Sequence, residues 1–118
     1  MKKITGGVTA AKGFQAAAVA AGIKYKDRDD MALIYSEKPC VLAGTFTSNV
    51  VKAAPVLFDK KVVEESPYGQ AVVINAGIAN ACTGREGFSY CEQTAKAAAE
   101  ALSISENAVS YTHLRAHE

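Results

Sequence analysis

The chain has 118 residues, of which 49% are hydrophobic and 21% are charged, and its 13 basic and 12 acidic residues leave a net charge of +1. This length suits one compact domain, and the composition is that of a folded globular protein rather than a disordered one. With no excess charge of either sign, neither nucleic acid nor an anionic membrane is expected as a partner.

The cysteines and the apolar runs favour a reduced, cytoplasmic enzyme. Cys40, Cys82 and Cys91 are odd in number and widely spaced, so they form neither a disulfide framework nor a CxxC metal or redox motif. The first residues resemble a signal peptide, but glycines and a threonine interrupt the apolar region that such a peptide needs. The longest apolar run, residues 16–21, is far too short to span a membrane.

The first part of the chain is predicted to be rich in strands. The alanine run at residues 16–21 is ambiguous, because alanine favours a helix. Gly13 and Gly22 bracket the run closely, however, and this favours a strand. A second strand is predicted at Met31–Tyr35, a short apolar run after the charged turn at residues 24–30.

Three further segments are predicted to be strands. Val41–Thr47 alternates small and larger residues, as a strand does. Lys52–Phe58 contains Pro55, which removes a ladder donor and points to an edge strand or a bulge. Ala71–Ile74 is a continuous apolar run, which is typical of a strand buried on both faces.

One helix is predicted from about Tyr90 to Leu102. Ser89 and Glu92 have the spacing of a capping box, in which each side chain satisfies a backbone N–H at the helix start. One helical face is mostly alanine, so the helix is expected to lie close against a sheet. The residues of this face are Tyr90, Thr94, Ala97, Ala98 and Leu102. Another strand is predicted to start near Val109, and the whole pattern predicts a layered α/β fold.

The glycine-rich loop after residue 74 is the candidate ligand site, because α/β folds often bind ligands at the end of a buried strand. Four residues are candidates for substrate binding: Asn80, Cys82, Thr83 and Gly84. In the alternative interpretation, which the sequence favours, Gly77 and Gly84 serve turns with positive φ and the asparagines satisfy loop backbone groups. Cys82 is more plausible as a small buried residue than as a nucleophile.

Two other patterns suggest chemistry and are better explained without it. Asp29 and Asp30 could form a paired acid site. Basic residues alternate with the acids in residues 24–30, however, and this pattern favours a solvated turn. His113 and His117 have the His-x-x-x-His spacing of zinc helices. No glutamate stands between them as in the zinc motif and no third ligand is evident, so no metal site is predicted.

The segment Ser110–Glu118 differs abruptly from the rest and contains both histidines of the chain. Its reverse translation is similar to a transposase adapter used in building sequencing libraries. We therefore expect residues 1–109 to be genuine and residues 110–118 to be a non-native tail.

Three blocks of sequence occur in a characteristic order: Gly6–Phe14, Ala43–Asn49 with Val51–Val56, and Val73–Gly84. Together they resemble the ornithine acetyltransferases (glutamate N-acetyltransferases), with Ala11 and Ile78 departing from the usual family residues. The likeness covers the chain before the tail, but only the opening portion of a much longer family protein. It implies an α/β fold of layered sheets and helices, of which only the amino-terminal part is present.

The resemblance implies a specific chemistry. Family members move an acetyl group from N-acetylornithine to glutamate in arginine biosynthesis, and some also accept acetyl-CoA as a substrate. The precursor cleaves itself before an internal threonine, which then attacks the acetyl carbonyl with its own α-amine as the base. A Thr-Gly pair further upstream helps to hold the oxyanion. Both parts would lie beyond Val109, so no catalytic residue and no cofactor is assigned here.

The resemblance also implies partners, and it leaves two alternatives open. The intact protein is expected to be a hetero-oligomer of its two cleaved chains, and this fragment is expected to be inactive without the missing carboxy-terminal chain. The first alternative is a small non-catalytic α/β binding module that holds a ligand in its glycine-rich loop. The second is a fragment of the related self-processing peptidase branch, because the residues that would decide are absent.

Overall fold

Within the residues that the structure describes, the protein folds as one mixed sheet with two α-helices packed on one of its faces. The structure, a computed structural model, describes residues 1–23, 26–77 and 84–114. The elements within these ranges are β1 (Phe14–Val19), β2 (Met31–Val41), α1 (Ala54–Glu65), β3 (Tyr68–Ala76), α2 (Gly84–Leu102) and β4 (Val109–Leu114). The strand order is β1-β2-β3-β4, antiparallel except for the parallel pair of β3 and β4. The predicted layered α/β class is confirmed.

The two faces of the sheet are buried to different degrees. On the inner face, which meets the helices, Ala71 and Val73 of β3 and Val109 of β4 are buried. On the outer face, Val72 and Ile74 are only half-buried. The prediction that residues 71–74 are buried on both faces is therefore wrong, because helices cover only one side of the sheet within the described part of the chain.

The strands predicted at residues 16–21 and near Val109 are present as β1 and β4, whereas Val41–Thr47 does not form a strand. β2 is a single long strand that already ends at Val41, after a shift of register between Tyr35 and Cys40. The next backbone N–H, that of Leu42, donates to the carbonyl of Pro67 in the turn before β3. Leu42 and Pro67 continue the register of Val41 with Tyr68, and the ladder ends with them because Pro67 has no N–H to donate in return.

The segment predicted as an edge strand at Lys52–Phe58 is the start of α1. Pro55 lies in the first two helical positions, where the missing N–H has no acceptor to lose and the fixed φ suits a helix. Phe58 and Val62, four residues apart, turn the apolar side of α1 to the core. The proline was therefore a sign of a helix start.

The predicted helix is present as α2, but it begins at Gly84, six residues earlier than expected. Ser89 therefore lies inside the helix, where its hydroxyl accepts a hydrogen bond of 3.2 Å from the Gln93 side chain. The predicted capping box with Glu92 is wrong. Local spacing matched the capping pattern, but the preceding turns of helix already satisfy the backbone N–H groups that a cap would serve.

The side of α2 that packs on the sheet also differs from the predicted one. Its buried residues occur every fourth position: Gly87, Cys91, Ala95 and Ala99. By contrast Tyr90 is 58% exposed and Ala97 is exposed, while Ala98 and Leu102 contribute only partly to the core. The two sides are adjacent and both are rich in small residues, so periodicity alone did not separate them.

The core lies where both helices meet β3 and β4. The rings of Phe58 on α1 and Phe88 on α2 meet edge to face, with centroids 5.9 Å apart and planes at 64°. Strand β4 contributes the fully buried Val109 and the buried Tyr111 to this core. The boundary predicted at Ser110 falls one residue into this strand.

Candidate functional site

The parallel strands β3 and β4 end at the same edge of the sheet, where the glycine-rich loop leaves β3. Gly77 follows β3 with φ of 92°, and Gly84 opens α2 with φ of 57°. The predicted turn role of both glycines is thus confirmed, because side chains rarely adopt such φ values. Gly84 is exposed and has open space around its Cα, whereas the predicted Asn80, Cys82 and Thr83 lie outside the described residues.

Asn75 is a polar residue on the inner face, just before this loop. The residue is only 5% exposed, and its Oδ1 has no hydrogen-bond partner among the described residues. An unsatisfied buried acceptor costs about 1–3 kcal/mol, so this oxygen is available to a donor. Sequence reasoning missed Asn75 as a buried group, although it is in phase with Ala71 and Val73 along β3.

Asp30 forms hydrogen bonds to two other segments at this end of the sheet, the β1–β2 connection and the end of β3. Its carboxylate accepts hydrogen bonds of 2.6 Å from the N–H groups of Ala21 and Ile23, in the β1–β2 connection. Its backbone carbonyl accepts a bond of 2.8 Å from the N–H of Ala76 at the end of β3. Asp30 is buried whereas Asp29 is exposed, so the solvated turn predicted for the pair is wrong for Asp30.

The hydrogen bonds of Asp30 suit it to an anchoring role. Burial raises the pKa of the carboxyl group, but the backbone hydrogen bonds from Ile23 and Ala21 outweigh this and leave the pKa below its ordinary value. Beside it lies an open depression, lined in part by Asp29, Asp30 and Asn75.

A second group of polar residues lies between the helices and β4. The Oδ1 of Asp59 on α1 accepts a hydrogen bond of 2.8 Å from the backbone N–H of Tyr111. Burial raises the pKa of Asp59 to about 6, although the bond from Tyr111 opposes the rise. Burial, together with the charge of Asp59, raises the pKa of the buried Cys91 thiol to about 11. A thiol that stays protonated at neutral pH is a poor nucleophile.

The described residues also bear on metal and membrane binding. His113 belongs to strand β4 rather than to a helix, and His117 lies outside the described residues. Within the described part of the chain, no group of three or more His, Cys, Asp or Glu residues is arranged to hold a metal ion. No helix in that part is long and apolar enough to cross a membrane.

Known proteins resemble this chain in sequence and in fold. The model of the ArgJ family matches residues 15–113. The arginine biosynthesis bifunctional protein ArgJ of Gloeobacter violaceus is 46% identical over 106 residues, which are 90% of this chain and 26% of the relative. The chain therefore spans about a quarter of the length of this curated relative.

Two solved structures share the fold. The arginine biosynthesis bifunctional protein of Bacillus halodurans is 38% identical with a TM-score of 0.83, over 93% of this chain and 58% of that one. The Mycobacterium tuberculosis ornithine acetyltransferase, complexed with ornithine, is 45% identical with a TM-score of 0.85, over 92% and 59%. Since the family match runs from the first strand to the last, and the likeness predicted from three sequence blocks is confirmed, this chain belongs to the ArgJ family.

Proposed function

We propose that this chain is the amino-terminal part of an acetyltransferase of arginine biosynthesis, which moves the acetyl group of N-acetylornithine to glutamate. The observation that carries the proposal is the 45% identity, with a common fold, to an ornithine acetyltransferase that was solved with ornithine. Ornithine is what remains when N-acetylornithine gives up its acetyl group, so a protein that holds it recognises one side of this reaction.

The reaction requires a nucleophile, a base and donors for the oxyanion. Among the described residues, Cys91 is buried and its thiol pKa is about 11, and Asp30 and Asp59 are engaged with backbone N–H groups. Following the family resemblance, we propose that the nucleophile lies outside this chain, as an amino-terminal threonine formed by self-cleavage. Its hydroxyl oxygen attacks the acetyl carbonyl while its α-amine accepts the hydroxyl proton and passes it to the departing nitrogen, so that the amide C–N bond breaks and ornithine leaves as the free amine. The amine of glutamate then attacks the acetyl-threonine ester, the ester C–O bond breaks, and the proton lost by the glutamate amine returns through the α-amine to the threonine oxygen.

The proposed contribution of this chain is one wall of the substrate pocket. Asn80, Cys82, Thr83 and Gly84 would line it, with the amide and hydroxyl groups as hydrogen-bonding partners of the substrate. Two observations support this proposal: β3 and β4 end side by side at the loop, and the buried Oδ1 of Asn75 lies immediately before it. The intact protein is proposed to work in the cytoplasm as a hetero-oligomer of its two cleaved chains.

An assay for N-acetylglutamate tests the proposal. The purified 118-residue chain, given N-acetylornithine or acetyl-CoA with labelled glutamate, is expected to form no product. A second protein carries residues 15–109 of this chain in place of the matching segment of the Mycobacterium tuberculosis relative. This chimera is expected to turn over N-acetylornithine. Product formation by the short chain alone, or a folded chimera without activity, would contradict the proposal.

The chimera also tests the pocket residues. Thr83→Ala is expected to raise the KM for N-acetylornithine about tenfold, which is the loss of one good hydrogen bond. Ser89→Ala, at an exposed position on α2, is the matched control and is expected to leave KM unchanged. Equal KM values for both variants would remove Thr83 from the proposed pocket.

A further inference from the structure

Asn75 carries a buried oxygen that nothing in the described part of the chain satisfies. The residue is 5% exposed, and its Oδ1 accepts no hydrogen bond from the described residues. Folded proteins satisfy nearly all of their buried polar groups, because each one left without a partner costs free energy. The Asn75 amide oxygen therefore requires a donor from elsewhere in the intact protein.

The described neighbours of Asn75 offer no suitable donor. On the inner face of the sheet, its register partner in β2 is Met31, and the next residue of β3 on that face is Val73. Neither side chain has an N–H or O–H group. The residues of α2 that pack on this face include one weak donor, the Cys91 thiol, and otherwise have no donor in their side chains: Gly87, Ala95 and Ala99.

The position of Asn75 in the sheet indicates the segment that follows β4. Asn75 pairs with residue 113 of β4, and among the described residues only the pair of Ala76 with Leu114 follows. The two strands are parallel, so the chain leaves β4 at the same edge of the sheet at which Asn75 lies. Neighbouring strands are about 4.8 Å apart, so the Asn75 side chain can reach the backbone just beyond β4.

The predicted non-native tail explains why the donor is missing from this chain. Residues 110–118 form the tail, and they include all of β4 except its first residue. A foreign sequence can still form the strand, because the ladder bonds come from the backbone. The path of the chain after the strand does depend on the sequence. The unpartnered oxygen and the abrupt change of sequence are independent observations, and they coincide at neighbouring strands.

We propose that in the intact protein the Oδ1 of Asn75 accepts a hydrogen bond from a backbone N–H of the native segment after β4, and so holds that segment in place. The family resemblance implies that the Thr-Gly pair for the oxyanion lies beyond Val109, in this segment. Asn75 is then a positioning residue, which keeps the pair where negative charge develops without touching the substrate. The inference rests on the proposed function.

Hydrogen exchange in the chimera tests the contact without measuring catalysis. Asn75→Leu has a similar volume and no acceptor, and it is expected to accelerate amide exchange in the segment after β4 by about tenfold or more. Asn75→Asp keeps an acceptor oxygen and is expected to exchange like the parent. Asn107→Leu, at an exposed asparagine just before β4, is the matched control and is expected to leave the exchange unchanged.

The kinetics of the chimera separate positioning from substrate contact. Asn75→Leu is expected to lower kcat for N-acetylornithine by about tenfold or more with KM unchanged, because the oxyanion forms only in the transition state. A higher KM with full kcat would show that Asn75 contacts the substrate, and would overturn the proposal. A chimera without activity would contradict the proposed function, whereas the exchange measurement would still decide whether Asn75 holds the segment.

The 118-residue chain and the chimera are expected to respond in opposite ways to Asn75→Leu. In the short chain the substitution removes an unsatisfied acceptor, so the midpoint of urea unfolding should rise. In the chimera it removes a hydrogen bond, so the midpoint should fall. Asn75→Ala removes the acceptor without adding bulk and repeats each test if the leucine variant does not fold.

Three further results would overturn the proposal. The first is unchanged exchange after β4 in both the leucine and the alanine variants. The second is faster exchange confined to residues 78–83, which would make the glycine-rich loop the partner of Asn75. The third is a lower unfolding midpoint in the 118-residue chain as well as in the chimera, which is the result expected of an asparagine that serves only the local structure.

Discussion

The carboxylate of Asp59 on α1 accepts a hydrogen bond of 2.8 Å from the backbone N–H of Tyr111 on β4. These residues are 52 positions apart, and the bond fastens α1 to the edge strand of the sheet. It does so with a half-buried acid whose pKa burial raises to about 6. Two effects therefore act in opposite directions on the pKa of Asp59. The hydrogen bond favours the charged form, and desolvation favours the neutral form.

Asp59→Asn is expected to stabilise the protein at neutral pH. A pKa of about 6 in the folded state, against 3.8 as the ordinary value, means that Asp59 contributes stability below pH 3.8. That contribution is lost as the pH rises through about 6. Asparagine keeps an acceptor for Tyr111 without a charge. The expected gain near pH 7 is about 1–2 kcal/mol, reduced from the full shift because the group is partly exposed.

Urea unfolding at a series of pH values between about 4 and 7 measures this effect. The Asp59→Asn variant should lose the part of the pH dependence that lies between about pH 3.8 and 6. Glu64→Gln is the matched control on the exposed side of the same helix, where its ion pair with Lys60 spans 3.6 Å. Its effect should stay within about 0.5 kcal/mol. A destabilised Asp59→Asn protein at neutral pH would show that the charged hydrogen bond outweighs desolvation.

Asp30→Ala is expected to loosen the connection between β1 and β2. The N–H groups of Ala21 and Ile23 lose their shared acceptor, so their amide hydrogen exchange should become much faster. The lowered pKa of Asp30 means that its contribution is present above the ordinary value of 3.8 and is lost as the pH falls through the lower folded value. Asp29→Ala, at an exposed position, is the control. If the amides of Ala21 and Ile23 exchange at similar rates in both variants, Asp30 does not hold this connection in place.

Ala95→Leu and Ala97→Leu are expected to have different effects on stability. Ala95 has no exposed surface, so three added carbons must displace the core at a cost of about 1–3 kcal/mol. Ala97 is exposed in this chain, and the same change there should alter stability by less than about 0.5 kcal/mol. Thermal or urea unfolding measures both. Equal costs would mean that the buried side of α2 is assigned wrongly.

The boundary at Ser110 remains a prediction, and sequencing the source DNA across its codon tests it. We expect the native reading frame to diverge from the present sequence there and to continue into a Ser-Thr-Gly segment. If instead the frame reads through His117 and Glu118 to a stop codon, the tail is native. The two histidines would then require a metal-binding assay.

The sequence alone was sufficient for the family, the layered α/β class, strands β1, β3 and β4, the first part of β2 (Met31–Tyr35) and the existence of α2. These features depend on local signals. The motif blocks are recognised from their residue types alone. A run such as Ala71–Ile74 is likewise seen to be apolar in the sequence, without knowledge of the residues it packs against. The turn glycines Gly77 and Gly84 belong to the same group. Glycine lacks a side chain and adopts positive φ readily, so the residue type alone indicates the turn.

Only the tertiary structure decided the remaining features. Pro55 suits both an edge strand and a first helical turn, and the burial of Phe58 and Val62 selects the helix. Asp30 and Asp29 are equivalent as neighbours in sequence, yet only the Asp30 carboxylate accepts hydrogen bonds from the N–H groups of Ala21 and Ile23, earlier in the same β1–β2 connection. The side of α2 that is buried follows from where β3 and β4 lie. In each case the local sequence is compatible with two structures, and contacts that form only in the folded chain determine which one is adopted.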